Sequence, residues 1–314
     1  VVCWRIFRRI VPGARCNFVK LAINGQNWGP YINVQQVDKT MLREWFRDDD
    51  GNRYRAERRP GAWLHSSALT WLGSNPSAYQ AGYEVKGTPT NPWVDVRDLC
   101  RVLNNTAPAS LPTELPKTFD IELALRSLAV HNVIPAIDSY IGNASHNYYL
   151  YRDGWHGRFA MLPWDLNASF GGNAWLTVAQ KVQLDPFYQS NHANRPLITR
   201  TLVHGPWRQR YLAYIRTVLD DAYDWNTLGP WITFLQRLIE PEVRADSKRL
   251  YSMQQFASNV QNDVRITVNG RLQTIPGLRP MIQGRSAFLR RHSEIGLQAP
   301  TLSQLEHTPT RPTV

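Results

Sequence analysis

The sequence predicts an α+β fold, β-rich in its first half and helical in its second. Three patterns carry that expectation. Apolar residues alternate at period two on either side of an Asn-Gly pair at 18–38, and a second alternating stretch covers 147–165. Beyond residue 195, apolar residues recur mostly at helical spacing, so 195–292 is expected to be mostly helical.

In FVKLAINGQNWGPYINVQQVD, residues 18–38, Val19, Leu21 and Ile23 share one face and Lys20 and Ala22 the other. The chain turns at Asn24-Gly25 and resumes with Tyr31, Ile32, Val34 and Val37, which is a β-hairpin pattern. Gly25 and Gly29 are both explained by that hairpin turn, so this stretch is not read as a phosphate-cradling loop. DKTMLREWF reads as a short helix with Asp38 as its N-cap, and DDDGNRYRA as a turn entering a strand. A small antiparallel sheet is therefore expected over 17–56. Asp48, Asp49 and Asp50 lack the downstream Glu of a Ca²⁺ loop and read as a solvated turn. Residues 58–92 are loop-rich.

WVDVRDLCRVLNN is amphipathic, with Val96, Leu99, Cys100 and Leu103 on one face. TFDIELALRSLAVHNVI is a core helix carrying Ile121, Leu125, Leu128 and Ala129 at helical spacing. NYYLYRDGWHGRFAMLPWD reads as a hairpin that turns at Asp153-Gly154 or at His156-Gly157. The helical half opens with PLITRTLVHGPWRQRYLAYIRTVLDDAYD, in which Leu197, Leu202, Tyr211, Ile215, Val218 and Leu219 lie near one stripe. TLGPWITFLQRLIEPEVRAD, SMQQFASNVQNDV and PGLRPMIQGRSAFLRRHSEI continue it. Residues 1–292 form one domain. Residues 293–314 read as a flexible tail, because 299–314 hold three Pro and four Thr and no aromatic residue.

Composition narrows the function. The 314 residues are 43% apolar and 19% charged, a globular balance, and no apolar run approaches the roughly 20 residues of a membrane span. The net charge is +11, and Arg outnumbers Lys 30 to 6. Guanidinium forks suit phosphate and carboxylate ligands. The arginines are spread along the chain without a basic stripe interleaved with aromatics, which disfavours nucleic-acid binding. Cys3, Cys16 and Cys100 form no CxxC pattern. Cys3 and Cys16 could pair, and Cys100 reads as a buried free thiol. VVCWRIFRRIV lacks the small-residue cleavage site of a signal peptide, so either a leader has been removed or the sequence is a fragment. The histidines show no zinc spacing and the serines no nucleophile elbow. Asn104, Asn143 and Asn167 begin sequons that are not read as glycosylation sites.

Two carboxylates stand out. Asp138, in PAIDSYIGNASHNYYLY, follows the core helix and opens a loop that ends at Asn147. Asp165, in MLPWDLNASFGG, ends the next strand. An Asp, an Asn and an Asp displayed from consecutive strand ends are hard oxygen ligands, suited to Mg²⁺ or Mn²⁺ with a phosphate ester. Asx-turn capping of the loop is the competing explanation.

FVKLAINGQNWGPYINVQQVDKTML, IDSYIGNASHNYYLYRD and GRFAMLPWDLNASFGG together resemble the spore coat protein H family, the CotH kinases. PLITRTLVHGPWRQRYLAYIRTVL and GRSAFLRRH extend the resemblance, which spans residues 17–292 in order. The strings NG-x-x-WG-x-Y, NYYLY and PWDLN-x-x-FG are individually specific. The resemblance implies an atypical protein-kinase-like fold. It also implies a secreted or cell-surface protein that transfers the γ-phosphate of ATP to protein hydroxyls with Mg²⁺ or Mn²⁺, acting on coat or surface proteins. Asp138 falls at the family's catalytic Asp, which accepts the hydroxyl proton. Asp165 falls at its metal-binding Asp, and Asn147 matches a second metal or phosphate ligand. The nucleotide-binding positions are occupied differently. Gln35 stands where the family's hairpin has an acid, Arg55 where it has a Lys, and Asn167 where PWD-x-D has its second Asp. The family's glycine-rich and Lys-bearing strands would precede Val1, so the nucleotide lobe is expected to be truncated in this chain. These departures support an alternative, a non-catalytic structural or adhesive protein, a pseudokinase in form. A third reading, a glycan-binding protein, rests only on the twelve Trp residues, which packing explains more simply.

Overall fold

The computed structural model describes residues 1–57, 59–87, 89–171, 176–268 and 270–296. The chain opens with α1 (Val2–Ile10), a helix for which the sequence supplies a buried face of Cys3, Trp4, Ile6, Phe7 and Ile10. Then follow β1 (Cys16–Ile23), β2 (Gln26–Val34), α2 (Lys39–Trp45), β3 (Asn52–Ala56), a 3₁₀ turn at Pro76–Ala81 and β4 (Tyr83–Lys86). After these come α3 (Pro92–Asn105), α4 (Leu111–Glu114), α5 (Ile121–Val133), β5 (Tyr148–Arg152) and β6 (Phe159–Pro163). The remainder runs α6 (Val178–Val182), α7 (Pro196–Thr199), α8 (Gly205–Asp221), α9 (Trp225–Ala245), α10 (Met253–Ser258), β7 (Val264–Val268), β8 (Arg271–Ile275), α11 (Leu278–Arg291) and α12 (Ser293–Gly296). The α+β class is as expected, but two details differ: α1 to α5 hold more of the first half than its strands do, and β3 joins β4 and β5 instead of the β1-β2 hairpin, so 17–56 is not one sheet. Among the described residues no helix is long and apolar enough to cross a membrane.

The strands make three antiparallel sheets. β4-β3-β5-β6 form the central one, and β1-β2 and β7-β8 are separate hairpins. The expected hairpin turn is present, with Asn24 at φ 50° and Gly25 at φ 76°, the left-handed pair that a two-residue connection requires. Its apolar face does not enter the core. Val19 is 38% and Ile23 44% exposed, because the hairpin stands apart from the central sheet and leans on the end of α9. Lys20 pairs with Glu242 there, and Lys248 lies over the Trp28 ring. Gly29 is not part of the turn. It sits within β2 at φ 81°, where a Cβ would meet the Asp246 carboxylate at 2.6 Å. Asp38 caps α2 as expected, its carboxylate accepting from Met41 N at 3.1 Å.

Two corrections fall in the second half. Val264–Val268 and Arg271–Ile275 form the antiparallel pair β7-β8, and the expected helix at SMQQFASNVQNDV stops at Ser258. Val264, Ile266 and Leu272 favour strand, and Gly270 supplies a positive φ of 73° at the turn. Of the expected tail, residues 293–296 form α12, with Ile295 buried and Glu294 paired with Arg208 at 2.7 Å. Residues 297–314 lie outside the described residues. The cysteines are also settled: all three are free, so Cys3 and Cys16 are not paired. Cys3 is buried on the core face of α1, where burial pushes its thiol up to about 11, while Cys16 is only half-buried at the start of β1.

The core is centred on α5, which packs against α8, α1 and β6. The sequence pattern picked out one apolar face of α5, but nearly every side chain of this helix is buried, Arg126, His131 and Asn132 included. A second buried layer is phenolic. Tyr148 donates to Ser67 O, Tyr140 to Ala68 O at 3.0 Å and Tyr79 to Gly73 O at 3.2 Å. These hydroxyls take the place of secondary structure for the 58–75 segment, whose buried backbone groups need partners.

His131 sets an expected pH dependence. Its Nδ1 lies 2.7 Å from Ser127 O, its Nε2 has no partner among the described residues, and the ring meets Phe7 edge-on. Burial lowers its pKa from 6.5 to about 4. Between pH 6.5 and about 4 the unfolded chain therefore takes up a proton that the folded chain refuses. This contribution is intact above pH 6.5 and is lost as pH falls, by about 3 kcal/mol in all. Urea titrations of wild type and His131→Leu should show the wild type losing ground to the variant by that amount between pH 7 and pH 4. A difference that stays constant with pH would contradict the assignment.

Candidate active site

The site grows from one end of the central sheet. β5 and β6 pair Tyr148 with Pro163, and the ladder continues one step further, where Trp164 N donates to Asn147 O at 3.1 Å. Asn147 N in turn donates to Ala56 O at 3.2 Å, so β3 ends at the same place. This end therefore presents Asn147 and, one residue beyond Trp164, Asp165. Both residues are left-handed, at φ 61° and 44°, a conformation that Asn and Asp tolerate better than most residues. It turns their side chains out of the strand alternation.

Asp138 comes to this end from the loop after α5. The Asn147 amide nitrogen donates to Asp138 O at 2.8 Å and to its carboxylate Oδ2 at 3.4 Å. Among the described residues the Asn147 side-chain oxygen accepts no hydrogen bond. His146 Nε2 lies 3.5 Å from the other Asp138 oxygen. Asp138 and Asn147 are thus in direct contact, as the sequence suggested. Asp165 follows Trp164, whose N–H bonds Asn147 O, but among the described residues it makes no hydrogen bond or ion pair to Asp138 or Asn147, and neither of them lines the cavity beside it. Its surroundings are a cavity of 280 Å³ lined with Trp4, Ile32, Val34, Trp164, Leu166 and Asn167. Tyr149 meets Trp164 edge-on at 5.4 Å and fixes the indole next to Asp165. Through Ile32, Leu166 and Asn167 this cavity opens into a larger apolar groove of 580 Å³ between the β1-β2 hairpin, α9 and α10.

The loop that carries Asp138 is held by a residue that sequence reasoning did not single out. Arg195 is fully buried and donates to Gly142 O, to Asn143 O at 2.7 Å and to Asn194 O at 2.8 Å. It also reaches His65 Nδ1 at 2.9 Å. Burial, followed by the charges of Arg195 and His192, lowers the His65 pKa, consistent with a neutral ring accepting from the guanidinium. Leu197 N donates to the Tyr140 hydroxyl at 3.1 Å from the same side. At Gly142 a Cβ would lie 1.5 Å from Ile137 O, so only glycine fits the bend. Nothing in NRPL marks Arg195 in advance. His146, next to Asn147 in sequence, was visible but was weighed only for zinc spacing.

The family model described as CotH kinase protein matches residues 2–274. The chain belongs to this family. It is also 26% identical over 246 residues to the inner spore coat protein H of Bacillus subtilis (strain 168). That alignment covers 78% of this chain and 64% of the relative, so the chain spans less than two thirds of that protein's length. Against the CotH pattern, the two remaining candidate residues are separated in space. Gln35 accepts from Arg15 N and donates to Glu44, both at 2.9 Å, at the base of the hairpin. Arg55 sits in β3 opposite Tyr149, two positions from the strand end that carries Asn147. It is paired with Glu57 and, at 2.8 Å, with Glu84. The acids beside Arg55 thus come from β4 and the end of β3, not from the hairpin. The Asp48-Asp49-Asp50 cluster is a different matter. Its carboxylates are close enough for a cation, but Arg43 and Lys39 already neutralise Asp49 and Asp50.

Proposed function

We propose that this CotH-family chain is a metal-dependent phosphotransferase of kinase-like architecture, which moves the γ-phosphoryl group of ATP to a protein hydroxyl in a coat or surface setting. The observation that carries the reading is the Asp138–Asn147 contact at the sheet end that also presents the exposed Asp165. Asp138 would accept the hydroxyl proton as the new P–O bond forms and the bond to the ADP oxygen breaks. Asp165 and the amide oxygen of Asn147 would form a hard-oxygen set for Mg²⁺ or Mn²⁺. That ion would neutralise phosphate charge. Arg55 would face the phosphates once released from its glutamates, and the apolar groove beyond Asp165 offers room for the base. The inner spore coat protein H relative supports the coat setting.

The alternative, a non-catalytic scaffold, has its own support in Gln35 and Arg55, whose polar groups are already engaged within the protein. Thermal unfolding separates the two. With ATP and Mn²⁺ or Mg²⁺ at about 100 times the dissociation constant, a binding protein gains about 2.7 kcal/mol, a rise of about 5 °C in melting temperature. The phosphotransferase reading expects that rise, dependent on both ligands. No shift with either metal would leave the scaffold.

A further inference from the structure

We propose that a second cavity, lined by Arg5, Arg8, Arg9 and Arg15, binds the phosphate monoester of a phosphorylated protein side chain. The cavity measures 410 Å³ and lies between α1, the start of β1 and Trp231 of α9. Its charge is strongly unbalanced. Glu44 pairs with Arg8 at 3.5 Å and with Arg15 at 3.1 Å, and no carboxylate is paired with Arg5 or Arg9 among the described residues. Helix α1 carries no acidic residue, and Arg5 and Arg9 stand one turn apart, a like-charge spacing that works against the helix. An anion in the cavity would relieve that repulsion.

The lining is also pre-ordered. Arg8 is anchored on Gly13 O and lies over the Trp45 ring, and Arg5 stacks on Trp231 at 4.5 Å. Guanidinium groups held in this way lose little freedom when a ligand arrives. Four arginines lining one concavity, two of them without a carboxylate partner among the described residues, suit a phosphate, with nearly two charges and three acceptor oxygens, better than a single carboxylate. A phosphorylated side chain fits better than a nucleotide tail, because none of the described lining residues is an acid that could hold the metal accompanying a triphosphate, and the nearby Glu44 is already paired with Arg8 and Arg15. Trp4 lines both this cavity and the one around Asp165. A segment phosphorylated at one residue would therefore hold a neighbouring hydroxyl near Asp165. This consequence rests on the phosphotransferase reading; the binding itself does not.

The test is calorimetric titration of the 314-residue chain, without metal and at physiological salt. The probes are a serine-rich peptide carrying two phosphoserines, its unphosphorylated twin, a twin with glutamates at those positions, and ATP. The phosphopeptide should bind at least about tenfold more tightly than either twin. The Arg5→Ala/Arg9→Ala variant should weaken it by about tenfold for each guanidinium lost. Arg5→Lys/Arg9→Lys should recover only part of the loss, because lysine keeps the charge and not the fork. Asp165→Ala should leave phosphopeptide binding intact even if the ATP- and metal-dependent thermal shift proves absent, so the two readings fail separately. The proposal is overturned by absent binding, by equal binding of the glutamate twin, or by binding that the arginine variants do not change. It is also overturned by loss of binding in Asp165→Ala, or by metal-free ATP binding more tightly than the phosphopeptide through the same arginines.

Discussion

Replacing Arg285 with Ala is expected to lower the stability of the fold by about 3–5 kcal/mol, the largest single-site loss anticipated for this chain. The guanidinium is fully buried in α11, and burial depresses its pKa from 12.5 to about 10. It donates to Val182 O at 3.1 Å and to Leu184 O, and from its other nitrogen to Asn132 O at 3.2 Å and Oδ1 at 2.7 Å. Asn132 then donates to Asp185 O at 2.9 Å and Pro186 O at 3.2 Å. One side chain thus joins α5, the 182–186 segment and α11, where few apolar contacts would do so. Truncation strands several carbonyls in the core and opens a space that no neighbour can fill with a donor. Arg285→Lys keeps the charge but cannot serve both sides at once, so it should recover only part of the loss. Denaturant unfolding of the three proteins measures the effect. A loss below about 1 kcal/mol for Arg285→Ala would mean that water reaches the guanidinium in solution.

What the sequence revealed, and what it concealed, follows from how local each determinant is. The hairpin at 18–38 was legible because Asn24-Gly25 has one favoured turn and its flanks alternate. The same logic was present at 264–275, where Val264, Ile266 and Leu272 flank Gly270, yet helical neighbours on both sides outweighed it. The face of α3 was read residue by residue, because Val96, Leu99, Cys100 and Leu103 meet a single packing surface. On α5 the same method found one stripe of a helix buried on all sides, since periodicity weakens when every face is covered. β4 has four residues and lies at the sheet edge, too short for alternation to stand out. The Asp138–Asn147 contact was legible because strand ends place loop residues together. Arg195 and Arg285 were not, because most of their partners are backbone carbonyls far away in the chain, and a carbonyl leaves no mark on the sequence.

Asp165→Ala should abolish metal-dependent transfer from ATP, a fall of about 10³-fold or more, because the hard-oxygen set loses an anion at the point where phosphate charge must be neutralised. It should also lose the ATP- and metal-dependent melting shift. Asp138→Asn is expected to behave differently. The asparagine keeps the volume and leaves the Asp138 main-chain carbonyl to accept from Asn147, so the loop and its Arg195 clamp stay in place. It cannot take the hydroxyl proton, so turnover should fall by about 10²–10⁴-fold while the melting shift remains. Both variants should fold, since Asp165 is exposed and Asp138 is half-buried outside the apolar core. Phosphate incorporation into a serine-rich peptide, read beside nucleotide-dependent melting, separates the two roles. Equal loss of the melting shift in both variants would assign Asp138 to metal binding instead of proton acceptance. Transfer that survives in both would move the chemistry away from this end of the sheet.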